Sequence, residues 1–438
     1  MLEIENQPQI TPAATRRYLH VVPRYFPYIG GSEKYMQEIA ERLATEPATE
    51  VAVFATQAWD LEHFWSAGKR TVKQAEETLN RVQVRRFPVR RLPLVSPLFY
   101  PVMRRALTML SAAPLPDKMA LPLLNLSCRS TPFVPALEKA LHNSRFDLVH
   151  ACNAPLDSLI RAAFDEAQRQ KAAFVITPFV HLGEPENSQI RKYYTMRHQL
   201  EWMKRAEAVF TMTTLERDYL AERGVPGHRM HVVGVGIEPG EITGGDGRRF
   251  RAKHKLEGPI VFFQGTAAYD KGTDHTVQAM QKLWQEGHPA TLVIAGPIMS
   301  HFQRFYDELP PSDQAKTRLL GFISPEEKRD LFAAGDVFVM PSRTDSFGIV
   351  YLEAWLCGVP VIGARAGGVP AVIADEQDGL LVNFGAVADL ADKIRQLLSD
   401  RATAARLAEA GKQKVLNRYT WQKVFGNIRE VYRAVLEG

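Results

Sequence analysis

The residues best suited to chemistry are two carboxylates, Asp345 and Glu353, in Pro341-Ser-Arg-Thr-Asp-Ser-Phe-Gly-Ile-Val-Tyr-Leu-Glu-Ala354. The pattern predicts a strand ending at Met340, a loop carrying Asp345, and a helix opening near Phe347-Gly348, whose first N–H groups favour a phosphate. Glu353 lies eight positions after Asp345, so a rise of 1.5 Å per residue sets them about 10–12 Å apart. That is too far for an acid and a base working on one proton. It suits the two ends of an extended ligand, with a diphosphate between a hydroxyl-rich sugar and a ribose. The bland reading is a helix cap at Asp345 and a Glu353 satisfied by backbone. A second loop, Phe263-Gln-Gly-Thr-Ala-Ala-Tyr-Asp-Lys-Gly-Thr273, leaves a strand at Gly265 and brings Lys271 to a helix start, where an ammonium group counters a diphosphate. In Pro27-Tyr-Ile-Gly-Gly-Ser-Glu33, Gly30 and Gly31 let the backbone approach a ligand closely. His181 follows a strand ending at Thr177, and His150, after Asp147-Leu-Val, has the same kind of address. A lone histidine is more often part of a core or a surface.

Short β-branched or aliphatic runs alternate with amphipathic stretches and position these loops. Strands are expected at Tyr18–Pro23, Val51–Ala55, Val82–Pro88, Leu148–Ala151, Phe174–Thr177 and Val209–Thr213. The second half repeats the pattern at Pro259–Gly265, Thr291–Ala295, Arg318–Gly321, Val337–Pro341, Val359–Gly363 and Leu380–Asn383. Alternating β and α implies parallel sheets covered on both faces, with ligands at the carboxyl ends of the strands. Gly234 to Gly247 is glycine-rich and reads as a linker. The resulting expectation is a polar tail over 1–16, one domain over 17–235 with a basic and apolar insertion at 80–130, a second over 236–415, and a terminal helix over 416–438.

On these motifs the chain, from Val21 to Leu436, resembles the retaining nucleotide-sugar-dependent glycosyltransferases of family four. The resemblance implies a GT-B fold: two Rossmann-like, doubly wound α/β domains facing a central cleft, with the C-terminal helix crossing back. In that family two acids separated by seven residues straddle a Ser/Pro-Phe-Gly turn, and Asp345-x7-Glu353 fills the pattern around Ser346-Phe347-Gly348, with Asp345 in place of the usual Glu. The implied donor site takes sugar hydroxyls on Asp345, ribose on Glu353, and diphosphate on Lys271 and the N–H groups of Gly348, Ile349 and Val350. Gly30, Gly31, Gly265 and Thr266 face the donor, and His181 lies near the reacting carbon. The base falls at Phe322 and Ile323, with UDP the default. The family's usual arginine five residues before the lysine is here Thr266.

Lys+Arg 54 against Asp+Glu 49 leaves a net charge of +5, too mild for a dedicated nucleic-acid binder unless concentrated. Concentration occurs between 81 and 105, where seven arginines, among them Arg85, Arg86, Arg90, Arg91, Arg104 and Arg105, meet no acid. Interleaved with apolar residues and prolines, they read as an acceptor-shaping or membrane-surface patch, or as an irregular insertion leaving its arginines in water. Cys128, Cys152 and Cys357 are far apart, against a disulfide framework, and no metal motif occurs, so no cofactor or metal is expected. The expectation is therefore a retaining, metal-independent hexosyltransferase of the cytoplasm, with a peripheral contact at the inner membrane face and no nucleic-acid partner. Its partners are a nucleotide-sugar donor and a saccharide, lipid-linked or small-molecule acceptor. The alternatives are a non-catalytic nucleotide-sugar-binding protein and a sugar-nucleotide epimerase or hydrolase on the same fold.

Overall fold

The computed structural model describes residues 15–28, 30–91, 96–185 and 189–438. The expected tail up to residue 14, and residues 92–95 of the 80–130 insertion, lie outside them. Eight strands form the first sheet: β1 (Arg16–Val21), β2 (Thr49–Thr56), β3 (Glu76–Leu79), β4 (Val82–Phe87), β5 (Leu148–Cys152), β6 (Ala173–Thr177), β7 (Ala208–Thr211) and β8 (Met230–Val232). Their order is β3-β4-β2-β1-β5-β6-β7-β8. The pairings of β1, β2, β4 and β5 are parallel and in register, and the β3–β4 hairpin is antiparallel at the edge.

The second sheet holds β9 (Ile260–Gln264), β10 (Thr291–Ala295), β11 (Thr317–Gly321), β12 (Val337–Met340), β13 (Val361–Ala364) and β14 (Leu380–Val382), in the order β11-β10-β9-β12-β13-β14. All of its pairings are parallel. The order reverses between β9 and β12, so the loops leaving these two strands border the crevice where such sheets bind ligands. Those loops carry Lys271 and Asp345. Strands β9, β10, β12 and β13 are almost wholly buried, as strands covered on both faces must be.

The chain divides into two compact units, one of residues 1–106, 125–176 and 432–438, the other of 107–124 and 177–431. The terminal helix Trp421–Glu437 gives its last residues to the first unit, where Tyr432 is buried and its hydroxyl lies 2.6 Å from His150 Nδ1. His150 is therefore a core histidine.

Two expectations need correction. The stretch 234–247 is packed rather than free: it forms the turn of helix Pro239–Ile242, and Ile237 N donates to Tyr419 O at 2.7 Å. Its glycines serve close contact, since a Cβ on Gly245 would stand 2.1 Å from the Arg329 carbonyl oxygen and one on Gly247 2.6 Å from that of Ala333. The insertion is regular as well, comprising helices Ser96–Ala112 and Asp117–Ser127 with Pro101 and Pro122 inside them.

Candidate active site

The loops after β9 and β12 are stitched to each other. Gly272 adopts φ +73, and a Cβ there would lie 2.4 Å from the Pro341 carbonyl oxygen, so only glycine allows this approach. Arg343 N donates to Asp270 O at 3.0 Å, and the Ser342 hydroxyl to the same oxygen at 3.3 Å. The result is an ion pair: Lys271 Nζ lies 2.7 Å from Asp345 Oδ1, with the side chains 27% and 18% exposed. Burial pushes the Asp345 carboxyl up, but the charge and hydrogen bond of Lys271 outweigh it and hold the group below its usual range.

Helix Ile349–Leu356 starts after Gly348, whose φ of +90 would strain any other residue. Tyr351 is fully buried and donates its hydroxyl to Met340 O at 2.5 Å, tying the helix to the end of β12. Trp355 donates to Asp378 O at 2.8 Å, and Gly411 leaves room for its indole. In this apolar helix Glu353 is the one charged residue. Its Oε1 lies 2.6 Å from Lys328 Nζ, a lysine that the sequence pattern did not single out, on helix Pro325–Ala334.

The two acids thus share one arrangement. Each gives one oxygen to a lysine, and the other oxygen, Asp345 Oδ2 or Glu353 Oε2, is buried without a hydrogen-bond partner. A buried acceptor left unpaired costs about 1–3 kcal/mol, which a ligand hydroxyl recovers on binding.

His181 stacks on Tyr194 with centroids 5.0 Å apart. Burial, then the nearby Lys271 charge, push its imidazole down to about 4, against the pull of Asp345, so the ring is neutral at physiological pH. Its loop is anchored at both sides. Gly367 N donates to Gly183 O and Gly368 N to Asp345 O, both at 2.8 Å, which sets the 363–368 glycine loop against His181's segment and the Asp345 turn.

Beneath this segment, fully buried Glu216 accepts from Val180 N and Met212 N, each at 2.7 Å. Burial outweighs those two bonds and pushes its carboxyl up to about 7. The folded protein holds that proton to higher pH than the unfolded chain, so this group's contribution to stability falls as pH rises from about 4.5 to 7. In Glu216→Gln that slope should vanish. At pH 8 one N–H would face an amide NH2, at a cost of about 1–3 kcal/mol; urea unfolding at pH 5, 6 and 8 measures both effects.

The structure brings His181, Lys271, Asp345 and Glu184 into one neighbourhood of the second unit through these bonds and charges. Arg343, a candidate to replace the missing arginine at Thr266, lies beside it but is engaged by Asp270 at 2.6 Å and Glu184 at 3.2 Å. Gly265 follows β9, and Gly296 is pressed on it so closely that a Cβ would meet the Gly265 carbonyl oxygen at 2.1 Å. Thr266 follows, half-buried. Phe347 points inward onto Tyr419, 5.3 Å between centroids, so its side chain braces the turn, while Ser346, Ile349 and Val350 are half-buried around it. Phe322 stands 84% exposed beyond β11, with Ile323 beside it. Gly30 and Gly31 lie in the first unit at the start of helix Gly31–Leu43, where the buried pair Arg24–Glu33 backs them at 2.9 Å.

The arginine patch is largely not a patch. Arg86 is buried, 2.5 Å from Glu77 and donating to Phe26 O and Gln74 O. Arg104 is buried against Asp157, and Arg85 pairs with Glu76 at 2.9 Å. Their partners lie outside the 81–105 window, which is why its acid-free composition misled. Arg86→Ser should therefore act on the fold, costing about 2–3 kcal/mol, less than a fully buried pair because Glu77 is 27% exposed. Thermal melting should show a drop of several degrees.

Known proteins supply a comparison. The model described as glycosyl transferase 4-like domain matches residues 30–236, and that described as glycosyl transferases group 1 matches 246–414. Relatives include the sulfoquinovosyl transferase SQD2 of Arabidopsis thaliana, 33% identical over 41% of this chain and 34% of its own. Another is a D-inositol 3-phosphate glycosyltransferase of Xylanimonas cellulosilytica, 32% identical over 47% of this chain and 51% of its own. The matches thus span a third to a half of these relatives. Among solved structures, HepE of Anabaena in complex with UDP superposes with a TM-score of 0.69 at 18% identity, covering 95% of this chain and all of that one. Sucrose-phosphate synthase of Thermosynechococcus elongatus gives 0.70 at 20% identity, covering 96% and 100%. These show the GT-B fold, and with both family models in place the chain belongs to the group 1 glycosyltransferases of the family-four type.

Proposed function

We propose that the chain transfers a hexose from a UDP-sugar to an acceptor hydroxyl with retention of anomeric configuration. The observation that carries this reading is the pair of buried, unpartnered carboxylate oxygens, Asp345 Oδ2 and Glu353 Oε2, at the two ends of one turn. Asp345 takes sugar hydroxyls and Glu353 the ribose. Between them Lys271 and the N–H groups opening helix Ile349–Leu356 hold the diphosphate. Phe322 and Ile323 receive the base, and neutral His181 donates one hydrogen bond to the sugar.

In the step itself, the bond from the anomeric carbon to the diphosphate oxygen breaks and that oxygen keeps the electron pair. The acceptor oxygen bonds to the same carbon from the same face, and its proton passes to the departing diphosphate. The protein's largest contribution is to stabilise the charge growing on that leaving group, which Lys271 and the helix start can supply without a divalent cation. HepE, whose solved complexes contain UDP, UDP with glucose, and UDP-glucose, supports the choice of donor. The acceptor lies on the first domain, and transfer takes place at the cytoplasmic side. Val102 and Leu126, each 56% exposed or more, are offered to an apolar surface there. Among the described residues no helix is long and apolar enough to cross a membrane.

Product analysis tests the reading. Nuclear magnetic resonance of the products should show an acceptor glycoside with the donor's anomeric configuration, at a rate indifferent to EDTA. Free sugar or an epimerised nucleotide sugar formed without acceptor contradicts it.

A further inference from the structure

Away from the donor loops, a cavity of about 330 Å3 opens in the first unit, a size at the lower end of small-ligand sites. Four aromatic side chains line it, Phe64, Phe99, Tyr100 and Phe133, together with Arg90 and Arg91. The loops after β2 and β4 supply Phe64 and both arginines, at the carboxyl end of the sheet. Arg90 and Phe133 are held together by a backbone bridge, Arg90 N to Phe133 O at 2.9 Å, which brings one guanidinium and one ring to the same wall.

Charge distinguishes these two arginines from three of their neighbours. Arg85, Arg86 and Arg104 each have a carboxylate. Arg90 has no ion-pair partner among the described residues, and Arg91 gives Nε and Nη2 to the neutral His63 carbonyl at 2.8 and 2.5 Å. No acid is among the described lining residues. Arg90 is exposed and Arg91 half-buried, and both line the cavity without a carboxylate partner, so a dianion there meets two guanidinium groups. The aromatic walls ask for a ring attached to that dianion.

We propose that this cavity binds a ring-bearing phosphate monoester, its phosphate on Arg90 and Arg91 and its ring against Phe133 and Phe64. That this molecule is the acceptor rests on the transferase reading; that it binds does not. The shared chemistry covers an aryl phosphate and a sugar phosphate, so both serve as probes.

The test is calorimetric titration of the full chain with phenyl phosphate, glucose 1-phosphate and phenol, and separately with UDP. At least one of the two phosphates should saturate, and phenol should bind at least tenfold more weakly. Arg90→Ser should weaken the phosphate at least tenfold, Phe133→Ser several-fold, and higher salt should weaken it further. The charge-matched control Arg145→Ser, an exposed arginine that does not line the cavity, should leave affinity unchanged. The tighter of the two phosphates identifies the source. Failure of both to saturate, equal binding of phenol, or an unchanged affinity in Arg90→Ser overturns the proposal. Phosphate binding with no UDP binding sustains the cavity and removes the UDP-donor reading. UDP binding alone does the reverse.

Discussion

Lys271→Met is expected to lower kcat/KM for transfer by about 10²- to 10³-fold, the loss typical of removing one donor aimed at developing transition-state charge. The side chain has a double duty. In the free protein it balances Asp345 at 2.7 Å; in the proposed reaction it would face a diphosphate whose charge grows as the sugar departs. With Thr266 where a second cation would stand, and with Arg343 engaged by Asp270 and Glu184, little else can compensate. The loss should fall mainly on kcat. Removing the lysine leaves burial opposed by the smaller pulls of Ser342 and His181, so the Asp345 carboxyl should rise and the sugar's hydrogen-bond acceptor should weaken as pH falls. Because both side chains keep some contact with water, the cost in stability should stay near about 1–2 kcal/mol. Steady-state kinetics across pH, beside a melting curve, separate the two effects.

Gly368→Ala should be nearly as damaging by a different route. Its added methyl would stand 1.9 Å from the backbone carbonyl oxygen of Ser346, with the Thr213 Cγ2 methyl 3.2 Å away. The Ser346 carbonyl is backbone rather than a flexible side-chain tip, so the 345–348 turn must shift. That turn sets the direction of Asp345 and the start of the Glu353 helix together, and Gly368 N is bonded to Asp345 O at 2.8 Å. A displacement of about 1 Å at such a site can cost 10²-fold in rate. The expected result is a loss of about 2–4 kcal/mol in stability with both donor affinity and kcat reduced.

Much of this arrangement was legible because it is local. The alternation of buried aliphatic runs and amphipathic stretches located twelve of the strands, and the turn from Asp345 to Glu353 lies within one loop and one helix. The strands that escaped, β3 and β8, are four and three residues long and only partly buried, and β3, Glu-Glu-Thr-Leu, carries no apolar run at all. Lys328 escaped for another reason. It sits in Pro-Glu-Glu-Lys-Arg, which reads as a solvated helix start, and only the fold brings it to Glu353, 25 residues later. Long-range pairing also undid the arginine window, since Arg104 meets its acid 53 residues on. Glycine composition alone could not separate a linker from a packing contact, as Gly245 and Gly247 show.

The central claim is that the Lys271–Asp345 and Lys328–Glu353 pairs form one donor site. The most direct test is a thermal-shift panel of UDP, GDP and ADP sugars, with and without magnesium, on the wild type and on Glu353→Ala. One nucleotide series should raise the melting temperature, with the UDP series expected, and the shift should be independent of magnesium and lost in the variant. No shift with any nucleotide sugar, or a shift that Glu353→Ala leaves intact, would contradict the account.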